Sequence, residues 1–401
     1  MKKPRILFWA SSQDAVGYYR MFKPYQMLKR LGYDVFMNPH DSDPLPLKDK
    51  KLEKERKAWY DFNDNKQGLP IITQKFAEVL GQDPKKPNYD AVIFQRADVL
   101  TIYSLAMMVR QTYNIPVIQE TDDYVFEIPH TNPAIQSYFD KPTEYRNENQ
   151  VDPLTVARMS LGSYDGYIVT TPFLKRFYEN YSPTYICPNS IDLSEREQLP
   201  KEKHDDFRII FSSSATHTDG LKFLVPVIDR FLTEHEDATF YHYWSMPKFF
   251  KGKPYEKRIK MMKWERPEKY WKYINSISPD VCLAPLTDVM FNRAKSNLRL
   301  LEYWTSGNNA VIASPVEPYV NTIKNGKNGF LAKSTDEWYE KLEYLYHNRQ
   351  KLDKLGKEGY KTVKKHYNLE KNARYWADAV NSIIRGYSPD KQSPKQYQPG
   401  W

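Results

Sequence analysis

The stretch Phe291-Asn-Arg-Ala-Lys-Ser-Asn-Leu-Arg-Leu-Leu-Glu-Tyr-Trp-Thr-Ser-Gly-Asn-Asn-Ala-Val-Ile-Ala-Ser314 sets a basic loop, a helical segment with one acid and an apolar strand in immediate succession. Ser296 suits a helix N-cap, Asn297 to Thr305 contain neither Gly nor Pro, and Gly307 stands where a helix would stop, so a short helix is predicted between them. Its positive end lies beside Arg293 and Lys295. Backbone N–H groups and two cations at one helix start form an anion site, of the kind that accepts a nucleotide diphosphate. Glu302 falls one turn after Leu298, where a carboxylate can accept hydrogen bonds from ribose hydroxyls. The same window also fits a plain amphipathic helix with an apolar stripe of Leu298, Leu301 and Trp304.

Working outward, short apolar runs alternate with helical stretches twice over. In the first half the strand candidates are Ile6 to Ala10, Val35 to Met37, Ala91 to Phe94, Pro116 to Ile118, Tyr167 to Val169 and Tyr185 to Cys187. In the second they are Arg208 to Phe211, Thr239 to His242, Val281 to Ala284, Ala310 to Ala313 and Gly329 to Leu331. The pattern predicts an α/β protein of two doubly wound, parallel-sheet (Rossmann-like) units. A chain of 401 residues is long enough for two domains. The polar segment Leu199 to Asp206 is the linker candidate, which gives an N-terminal domain over 1–198, a C-terminal domain over 199–370, and a helix and tail over 371–401. A Lys-rich insertion spans about 41–88, with a charge run from Lys48 to Arg56 read as an exposed helix.

Lys and Arg number 59 against 50 Asp and Glu, a net charge of +9. That balance favours anionic partners: phosphates, nucleic acid or an acidic membrane face. Cys187 and Cys282 lie in apolar runs in different halves and supply neither a disulfide framework nor a metal cluster. Met1 to Arg5 lead straight into the first strand, and no apolar run approaches a membrane span, so the chain reads as soluble and cytoplasmic.

Three loops at strand ends carry the remaining chemistry. Ser11 to Arg20 follows the first strand without G-x-G-x-x-G, which argues against a nicotinamide or flavin site. Gly17 permits close backbone approach to a ligand; Tyr18, Tyr19 and Arg20 are candidates to line an acceptor site, with packing at the helix start as the plain alternative for the two tyrosines. Gln119-Glu-Thr-Asp-Asp-Tyr-Val-Phe-Glu127 places four carboxylates at one strand end; Asp122 and Asp123 are the candidates for orienting a sugar or taking a proton, with capping as the plain alternative. Phe211 to Lys222 contains Ser213, Ser214, Thr216 and His217, hydroxyls and a ring suited to phosphate oxygens.

Together these segments resemble the GT-B glycosyltransferases of the large retaining group that includes glycogen- and mannosyl-transferring enzymes (glycosyltransferase group 1, family 4-like). The resemblance rests on Val16-Gly-Tyr-Tyr-Arg20 with Gly32, Thr121-Asp-Asp123, Cys187-Pro-Asn-Ser-Ile-Asp192, Ser213 to Asp219, Asn292 to Glu302 with Gly307, Val311-Ile-Ala-Ser314, and Tyr319, Ile323, Gly326 and Asn328-Gly-Phe-Leu331. It implies two domains facing an interdomain cleft, with the tail packing back on the first. A UDP- or GDP-linked sugar is the implied donor. Glu302 is implied on the ribose, Lys295 and the helix start (Arg293, Ser296, Asn297, Leu298) on the diphosphate, and Ser213 to His217 closing over it. It further implies retaining transfer without a metal. The second acid that the family often carries eight positions before Glu302 is here Ala294, and Gly307-Asn-Asn-Ala-Val lacks the usual proline.

The acceptor stays open between a glycan or lipid-linked sugar, with contact to an anionic membrane, and a hydroxylated base in DNA, as in phage-type DNA glycosyltransferases. A non-catalytic binding protein on the same scaffold is the third reading, prompted by Ala294.

Overall fold

The structure is a computed structural model that describes residues 3–10, 15–38, 79–96, 100–132, 135, 153–196, 199–212, 218–243 and 248–388. Two compact units divide it. The first comprises Met1–Phe126, Tyr138–Pro188 and Leu369–Trp401, and the second Glu127–Ser137 and Asn189–Asn368.

Each unit is built on a six-stranded, all-parallel sheet. In the first the order is β2-β1-β3-β4-β5-β6, from β1 (Ile6–Trp9), β2 (Val35–Asn38), β3 (Ala91–Gln95), β4 (Val117–Thr121), β5 (Gly166–Val169) and β6 (Thr184–Ile186). β1, β3, β4 and β5 are buried along their whole length; β1 and β5 carry no polar side chain except the Tyr167 hydroxyl and the Trp9 indole, whereas β3 ends in Gln95 and β4 in Gln119-Glu-Thr121. Register follows the hydrophobic runs, with Ile6 opposite Val35 on one side and Ala91 on the other. The helices are α1 (Lys23–Arg30), α2 (Leu100–Tyr113), α3 (Pro153–Ser160) and α4 (Pro172–Tyr178). α1 is entered through Ala15–Gly17 and a π-helical turn at Tyr18–Phe22. α4 shows why such helices start where they do: Thr171 is extended and its hydroxyl accepts from Leu174 N, while Pro172 occupies the first turn, where a missing N–H costs nothing.

In the second unit the order is β12-β11-β10-β7-β8-β9, from β7 (Phe207–Phe211), β8 (Ala238–Tyr243), β9 (Ile259–Met262), β10 (Val281–Ala284), β11 (Ala310–Ala313) and β12 (Phe330–Leu331). Its helices are α5 (Thr218–Glu234), α6 (Pro267–Ile277), α7 (Leu298–Thr305), α8 (Thr335–His347) and α9 (Leu352–His366). Phe231, Phe240, Phe250, Trp338 and Leu342 anchor a core between β7, β8, α5 and α8. α9 lies against α7 through Gly356 and Gly359, both buried.

The final helix α10 (Leu369–Gly386) is part of the first unit. Trp376 packs on Phe8 with ring centroids 5.9 Å apart, and Ile383 lies over Gly166, where any β-carbon would come within 2.5 Å of it.

The division falls after Pro188, ten residues before the boundary at 198 read from the sequence. The reason is local: Ile191 N donates to Tyr367 O at 2.8 Å, and Asn189 Nδ2 donates to Ser296 Oγ at 2.7 Å, which tie these residues into the second unit. The Lys48 to Arg56 run lies outside the described residues. Among the described residues no helix is long and apolar enough to cross a membrane.

Candidate functional site

Doubly wound sheets bind ligands where the parallel strands end at their carboxyl side. In the second unit Ser212, just beyond β7, is the node of that region. Its backbone N–H donates to Tyr303 Oη at 3.0 Å, and its hydroxyl receives Tyr270 Oη at 2.6 Å. Tyr303 stands on α7 and Tyr270 on α6, so one serine holds the two helices to the sheet. Tyr243 closes β8, the strand paired beside β7. Burial raises the phenols of Tyr243 and Tyr270, and the nearby Glu302 carboxylate raises both further. Glu302 thus lies within electrostatic reach of two tyrosines that stay neutral hydrogen-bonding groups across the physiological range.

α7 begins one residue later than the Ser296 cap implies. Asn297 holds the cap position without a side-chain cap bond, because its amide donates instead to Thr322 Oγ1 at 2.8 Å. Ser296 Oγ takes Asn189 and lies 3.4 Å from Leu298 N. Lys295 Nζ sits 4.2 Å from the centroid of the Phe291 ring. Arg293 differs from expectation: it is exposed and forms a two-point pair with Asp288, at 2.6 and 3.0 Å, instead of standing free beside the helix start. Ala294, where a second acid was looked for, is fully buried. Ser213, Ser214, Thr216 and His217 lie outside the described residues.

Two further side chains here escaped the sequence reading. Arg299, in the first turn of α7, has its guanidinium 5.5 Å from the Phe211 ring centroid, and among the described residues its buried Nη1 has no hydrogen-bond partner. A cation on the stripe adjoining Leu298 was legible, but its burial against β7 was not. Trp264, directly after β9, is 71% exposed, and an indole so open to water at a strand's carboxyl end is unusual enough to mark.

In the first unit Asp122 and Asp123 are both paired to Arg96. Arg96 Nη2 lies 2.7 Å from Asp122 Oδ1 and 2.6 Å from Asp123 Oδ2, and its Nε adds 3.0 Å to Asp122. Arg96 follows β3 with φ 45°, a left-handed conformation that brings its N–H to Glu120 O at 2.8 Å. One guanidinium thus holds both carboxylates in place as hydrogen-bond acceptors.

Gly17, Tyr18, Tyr19 and Arg20 are all buried. The tyrosine rings meet edge to face at 4.9 Å. Arg20 bonds Glu120 Oε1 through Nε and Cys187 O through Nη1, each at 2.6 Å, and lies 4.9 Å over the Trp376 ring. Burial pushes the Glu120 carboxyl up to about 7 even though Arg20 pulls it down. A carboxyl raised in the folded state adds stability that is complete below the ordinary carboxylate range and lost as pH rises through about 7. The melting temperature of the first unit is therefore expected to fall between about pH 5 and 8, with a flatter profile in Glu120→Gln. An identical slope in that variant removes Glu120 as the cause.

Comparison with known proteins bears on both units. Residues 227–378 match the family described as Glycosyl transferase-like. Among solved structures, sucrose-phosphate synthase from Thermosynechococcus elongatus aligns over 96% of this chain and 100% of its own at TM-score 0.62 and 14% identity. A glycosyltransferase from Rickettsia africae aligns over 96% and 100% at 0.63 and 14%. Anabaena HepE in complex with UDP-glucose aligns over 94% and 100% at 0.61 and 11%. The fold is GT-B. The glycosyl transferase-like match lies mostly within the second unit of that fold. No curated protein sequence matches the chain significantly.

Proposed function

We propose that this GT-B protein moves a sugar from a nucleotide-diphosphate sugar to an acceptor hydroxyl, with the second unit holding the donor. The observation that carries the reading is Glu302 on α7, the helix that Tyr303 ties to Ser212 at the carboxyl end of β7, within electrostatic reach of Tyr243 and Tyr270. Glu302 accepts the ribose hydroxyls, Lys295 and the first turn of α7 take the diphosphate, and Arg299 adds a second cation beside them. Trp264 offers an open face for the nucleobase. Ser213, Ser214, Thr216 and His217 extend the diphosphate site. The neighbour that binds UDP-glucose supports a uridine donor over a guanosine one.

Transfer proceeds with retention. The bond from the anomeric carbon to the diphosphate breaks as the acceptor oxygen bonds on the same face, and the leaving diphosphate takes the acceptor proton. Negative charge grows on the diphosphate, so fixed cations and helix-end N–H groups are the useful catalytic groups and a metal is not needed for that role. Asp122 and Asp123, braced by Arg96, orient sugar hydroxyls. The acceptor class is a glycan or lipid-linked sugar. An anionic lipid surface suits the sheet-edge segment where Lys248, Lys251, Lys257, Lys260 and Lys263 are exposed with Phe249 and Met261.

Incubation with a panel of nucleotide sugars, read by mass spectrometry for released nucleotide, tests this reading. One donor is expected to be consumed, faster with an oligosaccharide present; no binding and no release with any donor refutes it. Glu302→Ala is expected to weaken donor binding about 10- to 100-fold, the loss of one or two charge-assisted hydrogen bonds. Unchanged affinity in a folded variant removes Glu302 from the ribose.

A further inference from the structure

On the second unit, remote in sequence from α7, the carboxyl end of α5 meets the last turn of α8. Glu234 closes α5 and His235 follows it, while Glu343 and His347 stand one turn apart on α8. His235 Nε2 bonds Glu343 Oε1, and His347 Nε2 lies 3.3 Å from Glu343 Oε2, so two imidazoles present the same nitrogen to opposite oxygens of one carboxylate. The ligand atoms of Glu234, His235 and Glu343 all lie within 4.8 Å of one another. In a tetrahedral zinc site neighbouring ligand atoms stand roughly 3.4 Å apart, from bonds of about 2.0–2.2 Å. Small side-chain rotations bring these three to that spacing, while His347, its ring centroid 6.2 Å from that of His235, has further to swing to join them.

The His235 ring is held in place before any ion arrives. It packs between Phe231, centroids 4.5 Å apart, and Tyr346, at 4.1 Å, and its carbonyl accepts from Arg258 Nη1 at 2.6 Å. A hydrogen bond that merely fastened the two helices would need one imidazole; here a second faces the same carboxylate and a second carboxylate lies within reach. Glu234 is the costliest of the four to recruit, because Arg230 Nε at 3.0 Å and the Tyr339 hydroxyl already engage it.

We propose that His235, Glu343 and His347, with Glu234 as fourth ligand, bind a divalent transition metal of the zinc class and staple α5 to α8. Imidazole with carboxylate selects zinc, nickel or copper over magnesium and calcium, whose sites are built from oxygen. The proposal goes beyond the transfer reaction and stands independently of it.

The test is zinc titration of the full chain after stripping with chelator, followed by calorimetry and thermal melting. One ion per chain and a melting temperature raised by several degrees are expected, reversed by chelator and absent with magnesium. His347→Ala removes a mostly exposed side chain, so its fold survives, and it is expected to weaken zinc at least tenfold. His235→Ala with His347→Ala abolishes binding, and cobalt(II) gives a visible spectrum that both variants lose. No stoichiometric binding, or binding that persists in the double variant, overturns the site and leaves a hydrogen-bonded clamp only.

Discussion

Gly356→Ala is expected to destabilise the second unit by about 3 kcal/mol or more, at the upper end for overpacking a tight contact. A β-carbon at position 356 would lie 1.6 Å from Asn308 O and 2.1 Å from Asn308 C. Those are backbone atoms, so no side-chain rotation relieves the clash; α9 must move off the turn that joins α7 to β11. Alanine's better helix propensity returns only about 1 kcal/mol. The turn has little room to yield. Gly307 and Asn308 sit at φ 113° and 54°, and Asn309 fastens the end of α7 by donating to Tyr303 O and Ser306 O. Gly359→Ala meets Trp304 Cδ1 at 2.2 Å, a buried ring that can shift slightly, and should cost less. Because α7 carries Glu302, donor affinity should fall along with the melting temperature in Gly356→Ala. A wild-type melting profile in that variant would mean that α9 does not approach α7 this closely in solution.

Those two glycines mark the boundary between what the sequence displays and what it hides. Each of the eleven apolar runs is a strand, displaced by a few residues at most, because strands buried within a parallel sheet are mostly apolar. β9 escaped notice for the converse reason. It is the sheet's outer strand, Ile259-Lys-Met-Met262, with its two middle residues exposed, and lysine there guards an unpaired edge. Helix α7 was visible from its composition, yet its start was misplaced because Asn297 spends its side chain on Thr322, 25 positions away. Arg96 with Asp122 and Asp123, and Arg20 on its π-helical turn with Glu120 on β4, are partnerships between residues distant along the chain. Local pattern reveals the type of each residue but not its partner. A buried arginine and an acceptor-lining arginine therefore look the same until the strands are aligned.

The second large effect is expected from that buried pair. Arg20→Met should cost about 3 kcal/mol of first-unit stability at pH 8, within the range found when one member of a buried ion pair is removed. Both side chains are at most 1% exposed, so no water replaces the lost guanidinium, and Glu120 Oε2 already has no partner among the described residues. The cost has a ceiling: the abandoned carboxyl takes up a proton once that is cheaper than remaining charged. The loss should consequently shrink toward pH 5, where burial already favours the neutral acid in the intact pair. Adding Glu120→Leu to Arg20→Met removes the orphaned charge and is expected to recover most of the stability, since apolar replacement of both partners is often neutral or better. Arg20 also caps the Cys187 carbonyl and lies on Trp376, so recovery should stop short of the wild type. Thermal melting of the two variants at both pH values decides the matter. Equal losses at pH 5 and pH 8 would show that Arg20 acts through packing on Trp376 and α10, with no electrostatic share.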